Sequence, residues 1–160
     1  MSPPRPLRIG AAVDERSVSA ARVLFREYAE GLDFALDFQD FEHELASLPG
    51  EYRAPHGILL LAWSGGSPAG CVGVRRLGEE TCEMKRLYVR PAYRAGGIGR
   101  RLAEEALRAG RSLGYRRMRL DTVPSMGAAI ALYRSLGFVD IPAYRFNPIP
   151  GAVYLEVDLQ

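Results

Sequence analysis

The residues best suited to chemistry lie around Arg94-Ala95-Gly96-Gly97-Ile98-Gly99, a glycine-rich turn between an apolar run ending at Val89 and an amphipathic run opening at Ile98. Such a turn lets backbone N–H groups and a helix dipole approach phosphate oxygens closely. It is not a dinucleotide fingerprint, because Leu102 stands where a third glycine is wanted, and no Gly-Lys-Ser/Thr sequence marks a nucleotide-triphosphate loop. Taken alone, the same residues also suit a plain strand-to-helix turn. His43 and His56 have no partner at metal or triad spacing, and Cys71 and Cys82 lack the paired spacing of a zinc site, so no metal is expected.

Charge narrows the ligand. From Met84 to Arg119 there are ten arginines and Lys85 against Glu104 and Glu105, a net of +9, whereas Arg26 to Glu51 holds eight acids against one base. The cationic stretch suits a polyanion, either nucleic acid or a polyphosphate ligand. A nucleic-acid surface would interleave more aromatics with its basic residues than Tyr88, Tyr93 and Tyr115 supply, so no nucleic-acid partner is expected. Arginine outnumbers lysine 20 to 1 along the chain, a bias that weakens the argument from any single arginine.

The elements that must position the turn follow from periodicity. Leu7 to Val13 is a short apolar run, and Asp14 caps a helix from Arg16 to Glu30 on which Val18, Ala21, Leu24, Phe25 and Tyr28 recur at helical spacing. A second helix is predicted over Gln39 to Leu48, stopped by Pro49-Gly50. Gly57 to Trp63, Ala69 to Leu77 and Thr81 to Val89 read as a three-stranded antiparallel meander. Ile98 to Leu113 is an amphipathic helix, Arg116 to Thr122 a strand, Met126 to Leu136 a helix, and Phe138 to Ile141 and Val153 to Leu159 the closing strands. The order βααβββαβαββ gives an α+β class, a mixed and mainly antiparallel sheet flanked by helices, with the strand–helix–strand crossover parallel. At 160 residues without repeats or linkers, residues 1–160 are expected to form one domain. The longest apolar run, Ile58 to Trp63, is far short of the roughly 20 residues of a spanning helix, and the sparse cysteines suit reduced thiols, so a cytoplasmic protein without membrane association is expected.

The conjunction of this turn with the strand Cys82 to Val89 and with Ala129-Ile-Ala-Leu-Tyr-Arg-Ser-Leu-Gly-Phe138 resembles the GNAT acyltransferase superfamily. The family signature, Gln or Arg, two residues, Gly, one residue, Gly or Ala, is matched by Arg94, Gly97 and Gly99. The resemblance implies a GNAT-like sheet and acetyl-CoA as co-substrate, its pyrophosphate on Arg94 to Arg100 and its pantetheine arm along Leu87, Tyr88 and Val89. It further implies attack by an amine on the thioester, an oxyanion held by a backbone N–H near Val89, and Tyr133 as donor to the departing sulfur. Glu83, eleven residues before Arg94, matches a position where some members keep a catalytic glutamate. The alternatives are a core-edge Tyr133 and a Glu83 paired with a cross-strand arginine such as Arg75. Many members carry an asparagine after the fifth main strand, whereas this chain reads Asp121-Thr-Val-Pro-Ser-Met126, so Ser125 or the Met126 backbone is expected to stand in.

On the acceptor side, Gly31 to Phe41 is both acidic and aromatic, and Phe34 and Asp37 are candidates to receive a cationic amine, the alternative being aromatic faces packed inward with the carboxylates solvated. Tyr144 and Asn147, on a proline-constrained connection, are candidates to close that pocket, and the segment equally suits a plain strand connection. The combined reading is an N-acyltransferase moving acetyl from acetyl-CoA to a primary amine by direct attack, with a small-molecule acceptor favoured. The alternative is a non-catalytic acyl-CoA or polyphosphate-binding regulatory module, and family members often form homodimers.

Overall fold

A computed structural model describes residues 6–36 and 40–160. The element order is β1 (Leu7–Ala11), α1 (Glu15–Glu30), α2 (Phe41–Ser47), β2 (Ile58–Ser64), β3 (Ser67–Arg76), β4 (Thr81–Val89), α3 (Ile98–Ser112), β5 (Arg117–Thr122), α4 (Gly127–Ser135), β6 (Val139–Asp140) and β7 (Val153–Asp158). The seven strands form one sheet in the order β1-β2-β3-β4-β5-β7-β6, antiparallel throughout except for the parallel pair β4 and β5. This is the mixed α+β sheet that the sequence predicts, with element ends shifted by one or two residues, as expected for frayed termini.

The sheet is covered on both faces, and β2 shows why its sequence is apolar without alternation. Leu59, Leu61 and Trp63 face a core shared with Val18, Leu24, Phe25, Phe41 and Leu45 of α1 and α2. Leu60 and Ala62 face the opposite core, with Leu102 and Ala106 of α3 and with Tyr133 and Phe138. A strand buried on both sides reads as a continuous apolar run. Asp14 begins α1 by accepting a bond from the Ser17 amide at 2.8 Å.

The segregated charges of the sequence meet in space and fasten these layers. Glu27 of α1 accepts Arg90 Nε and NH2 at 3.0 and 2.7 Å, and Glu44 of α2 accepts Arg86 Nε and NH2 at 3.0 and 2.9 Å. The acidic helices are thus docked on the basic strand they precede. Much of the cationic stretch is consumed within the chain, since Arg119 pairs with Glu156 and Arg111 donates to the Leu159 carbonyl.

Candidate active site

Two features of the backbone create the main cleft. The first is the turn before α3. Ala95 and Gly97 both have positive φ, 69° and 80°, and α3 starts directly after Gly97. Gly97 supplies no side-chain cap, so the first-turn amides of α3 have no acceptor of their own and face outward together. Arg94 folds back, donating from Nε to the Val89 carbonyl at 2.9 Å while its guanidinium lies over the Tyr88 ring.

The second feature is a fork in the sheet. β4 pairs with β5 only at Thr81, Cys82 and Glu83, opposite Arg117, Met118 and Arg119, and beyond that point the two strands part. On its other edge β4 stays paired with β3 as far as Val89, across an irregularity at Arg86, whose φ is +62°. Arg90 N bonds to the Ala69 carbonyl, so ladder alternation turns the Leu87 and Val89 N–H groups the other way, into the fork.

These features enclose a cleft of about 730 Å³. Leu87, Tyr88, Val89, Arg94, Ala95, Gly97, Ile98, Gly99, Ser125 and Met126 line it, together with Tyr28, Asp33 and the start of α4. Among the residues singled out from sequence for the phosphate turn, Gly96 lies outside this lining, and Arg100 instead donates to Ser135 Oγ at 3.0 Å.

Deeper in the fork is a smaller cavity of about 50 Å³, sharing Tyr28, Leu87 and Met126 with the cleft. Tyr133 on α4 lines it, 8% exposed, its ring packed 5.7 Å from Phe138. No described residue hydrogen-bonds its hydroxyl, which is open to the cavity and not sealed off, and burial of the side chain pushes its ionisation above the usual phenol range. A phenol so placed stays protonated and can donate to an anion formed beside it. Phe34 also lines this cavity, with Lys85, Arg86, Asp121 and Asn147, while Asp37 lies outside the described residues.

Glu83 sits at the crotch of the fork, fully buried. Its Oε1 accepts Arg75 Nε at 2.9 Å, and its Oε2 accepts the Tyr144 hydroxyl at 2.7 Å and is ion-paired with Arg145 NH2 at 2.7 Å. Desolvation opposes its charge, but Lys85, Arg75 and Arg145 outweigh it and hold the carboxyl below the usual glutamate range. Both oxygens are therefore engaged by the chain, in the cross-strand pairing that was the alternative reading of this residue. Tyr144 is drawn into the same cluster, edge-on to Tyr154 at 5.5 Å and flanked by Arg119 and Arg145.

Three groups at the small cavity escaped the sequence reading. Lys85 is the lone lysine of an arginine-rich chain, which was the available signal, and its ammonium is pushed down to about 7 by burial and by Arg86, opposed by Glu83. Arg86 is held bidentate by Glu44 and lies over the rings of Phe41 and Tyr28 at 5.3 and 5.8 Å. Asp121 accepts Asn147 Nδ2 at 3.1 Å, and Asn147 Oδ1 in turn takes the Ile149 amide at 3.0 Å. Among the described residues no cluster suits a metal, and no helix is long and apolar enough to cross a membrane.

Comparison with known proteins agrees with this geometry. Residues 20–138 match the model of the acetyltransferase (GNAT) family. An uncharacterised N-acetyltransferase of Schizosaccharomyces pombe is 37% identical, over 99% of each chain. The N-alpha-acetyltransferase RimI of Mycobacterium tuberculosis is 41% identical over 61% of this chain and 58% of its own length. An acetyltransferase of Salmonella typhimurium, solved with its cofactor acetyl-CoA, superposes with a TM-score of 0.74 at 19% identity, covering 97% of this chain and 95% of that one.

Proposed function

The chain belongs to the GNAT family and is an acetyl-CoA-dependent N-acetyltransferase; on that premise we propose that it acetylates the primary amine of a small molecule by direct attack. The observation that carries the reading is a cleft lined by an open strand edge and an uncapped helix start, adjoining through Leu87 and Met126 the cavity lined by Tyr133.

The α3 amides at Gly97 to Arg100 hold the pyrophosphate, and the Leu87 to Val89 edge bonds the pantetheine amides as an added strand would. The thioester then lies between the cleft and the small cavity. The Val89 N–H, directed into the fork, meets the oxyanion, and a preorganised donor of this kind contributes about 3 kcal/mol. Tyr133 donates to the departing sulfur. Glu83 serves as an anchor for Arg75, Tyr144 and Arg145, because its own oxygens are taken, and neither Tyr144 nor Arg145 lines the cleft or the small cavity. The small size of the inner cavity supports a small acceptor. A purely binding module is not favoured, since it has no use for the Tyr133 hydroxyl at the small cavity.

Calorimetric titration with acetyl-CoA tests the reading. Saturable binding in the wild type, lost in Gly97→Glu, is expected. Binding unaffected by the substitution would place the phosphates elsewhere.

A further inference from the structure

The small cavity at the fork has walls of opposite sign. Lys85 and Arg86 stand on the β4 side, and Asp121 stands on the β5 side. Asn147 occupies Asp121 Oδ2, and no described group donates to Oδ1. Arg86 gives its Nε–H and one NH2 hydrogen to Glu44 and is hydrogen-bonded to Tyr28, and with five N–H groups it keeps donors for a ligand oxygen. Lys85 carries three donors on one nitrogen, enough to serve a ligand oxygen besides its contacts within the chain.

We propose that the acceptor is a small zwitterionic amine of the free amino acid class, its ammonium on Asp121 and its carboxylate on Lys85 and Arg86. This rests on the acetyl-transfer reading above and names the substrate class of that same site. A simple alkylamine would bring only positive charge towards Lys85 and Arg86. The first residue of a peptide would bring no carboxylate beside its amine.

The surroundings of Lys85 support the assignment. Burial and the neighbouring Arg86, Arg75 and Arg145 depress its ammonium to about 7, against Glu83. A bound carboxylate favours the charged form, so binding at pH 8 draws a proton onto the protein. In the reaction the ammonium yields one proton through Asp121 to water, and its lone pair forms the N–C bond. The C–S bond breaks as the tetrahedral centre collapses, and the second proton shed by nitrogen passes to the sulfur, giving the amide and the free thiol of CoA.

The test is thiol release by the whole protein, supplied with acetyl-CoA and free α-amino acids. Matching carboxamides, decarboxylated amines and peptides with the same first residue run beside them. The preferred amino acid should exceed its carboxamide and its decarboxylated amine at least tenfold in kcat/KM. Lys85→Met should bring that ratio towards one, and Asp121→Asn should lower kcat/KM for every amine. In the wild type, the heat of amino acid binding at pH 8 should vary with buffer ionisation enthalpy in the sense of proton uptake. Equal kcat/KM across the matched set, a preference for peptide or decarboxylated amine, or no proton uptake overturns the proposal and leaves acetyl transfer standing. Failure of the wild type to bind acetyl-CoA overturns the acetyl-transfer reading itself.

Discussion

Replacing Tyr133 with phenylalanine should separate catalysis from stability cleanly. The substitution keeps the ring and its contact with Phe138 at 5.7 Å. The hydroxyl has no partner in the described chain, so its removal orphans nothing, and stability should change by no more than about 0.5 kcal/mol. For a chain of this length that is a melting shift within about 2 °C. Turnover should respond quite differently. A hydrogen bond formed only as charge develops on sulfur, in a water-poor cavity, is worth about 2.7–4 kcal/mol, a loss of about 100- to 1,000-fold in kcat. Because burial raises the phenol's ionisation, the lost contribution is a hydrogen bond more than a complete proton transfer, and acetyl-CoA affinity should stay within about twofold. Thiol release, calorimetry and a thermal melt read the three quantities. A variant with kcat within threefold of wild type would make Tyr133 a core aromatic. A melting point lowered by more than about 5 °C would mean that the hydroxyl has a structural partner.

The other predictions concern the charged groups around the fork and the thiols. Glu44→Gln leaves Arg86 without its counter-charge where its side chain is 2% exposed, at a cost of about 3–5 kcal/mol, and differential scanning calorimetry should find a melting point about 6–20 °C lower. Glu27, Glu44 and Glu83 all have carboxyls held below the ordinary value of 4.5 in the folded state. Their stabilisation is therefore full above that pH and is lost as pH falls beneath it, which urea titrations between pH 6 and pH 3 will read as a falling midpoint. Lys85 has the opposite history. Its folded ionisation lies near 7 and its unfolded one near 10.5, so its burden is greatest below pH 7 and fades as pH rises towards 10.5. Lys85→Met should thus be more stable than wild type at pH 6, with the advantage shrinking by pH 10. Cys71 and Cys82 are buried, and burial pushes both thiols up, Cys82 to about 12. Native protein at pH 8 should resist iodoacetamide until denaturant is added.

Periodicity made the elements legible, and the hairpin register of β3 and β4 made the Arg75 partner of Glu83 legible with them. What local pattern does not encode is where a pairing ends. Thr81 to Val89 reads as one strand and is one strand, yet its parallel partner leaves it after Glu83. The fork opens where β4 is distorted at Arg86 while β5 runs on to Thr122 paired with β7, a matter that alternation cannot register. Tyr144 and Arg145 reach Glu83 from 61 and 62 residues away, and Asn147 reaches Asp121 from 26, so the polar clusters were invisible as spacings. Lys85 was visible as an oddity of composition, and its meaning depended on the arginines that surround it in space.

The brevity of the β4–β5 pairing also bears on how the molecule comes apart. Within the sheet, three residue pairs and the Glu83 cluster join strands β1–β4 to strands β5–β7, each side with its own antiparallel ladders, and the core under α3 is shared by both. Amide exchange should therefore divide into two cooperative blocks along this seam, the weaker opening below the global free energy. On the proposed reading, acetyl-CoA would lie against both sides of the fork and supply bonds that the sheet itself omits there. At a hundredfold excess over Kd it would add about 2.7 kcal/mol to the folded state and, by bridging the seam, merge the two blocks into one.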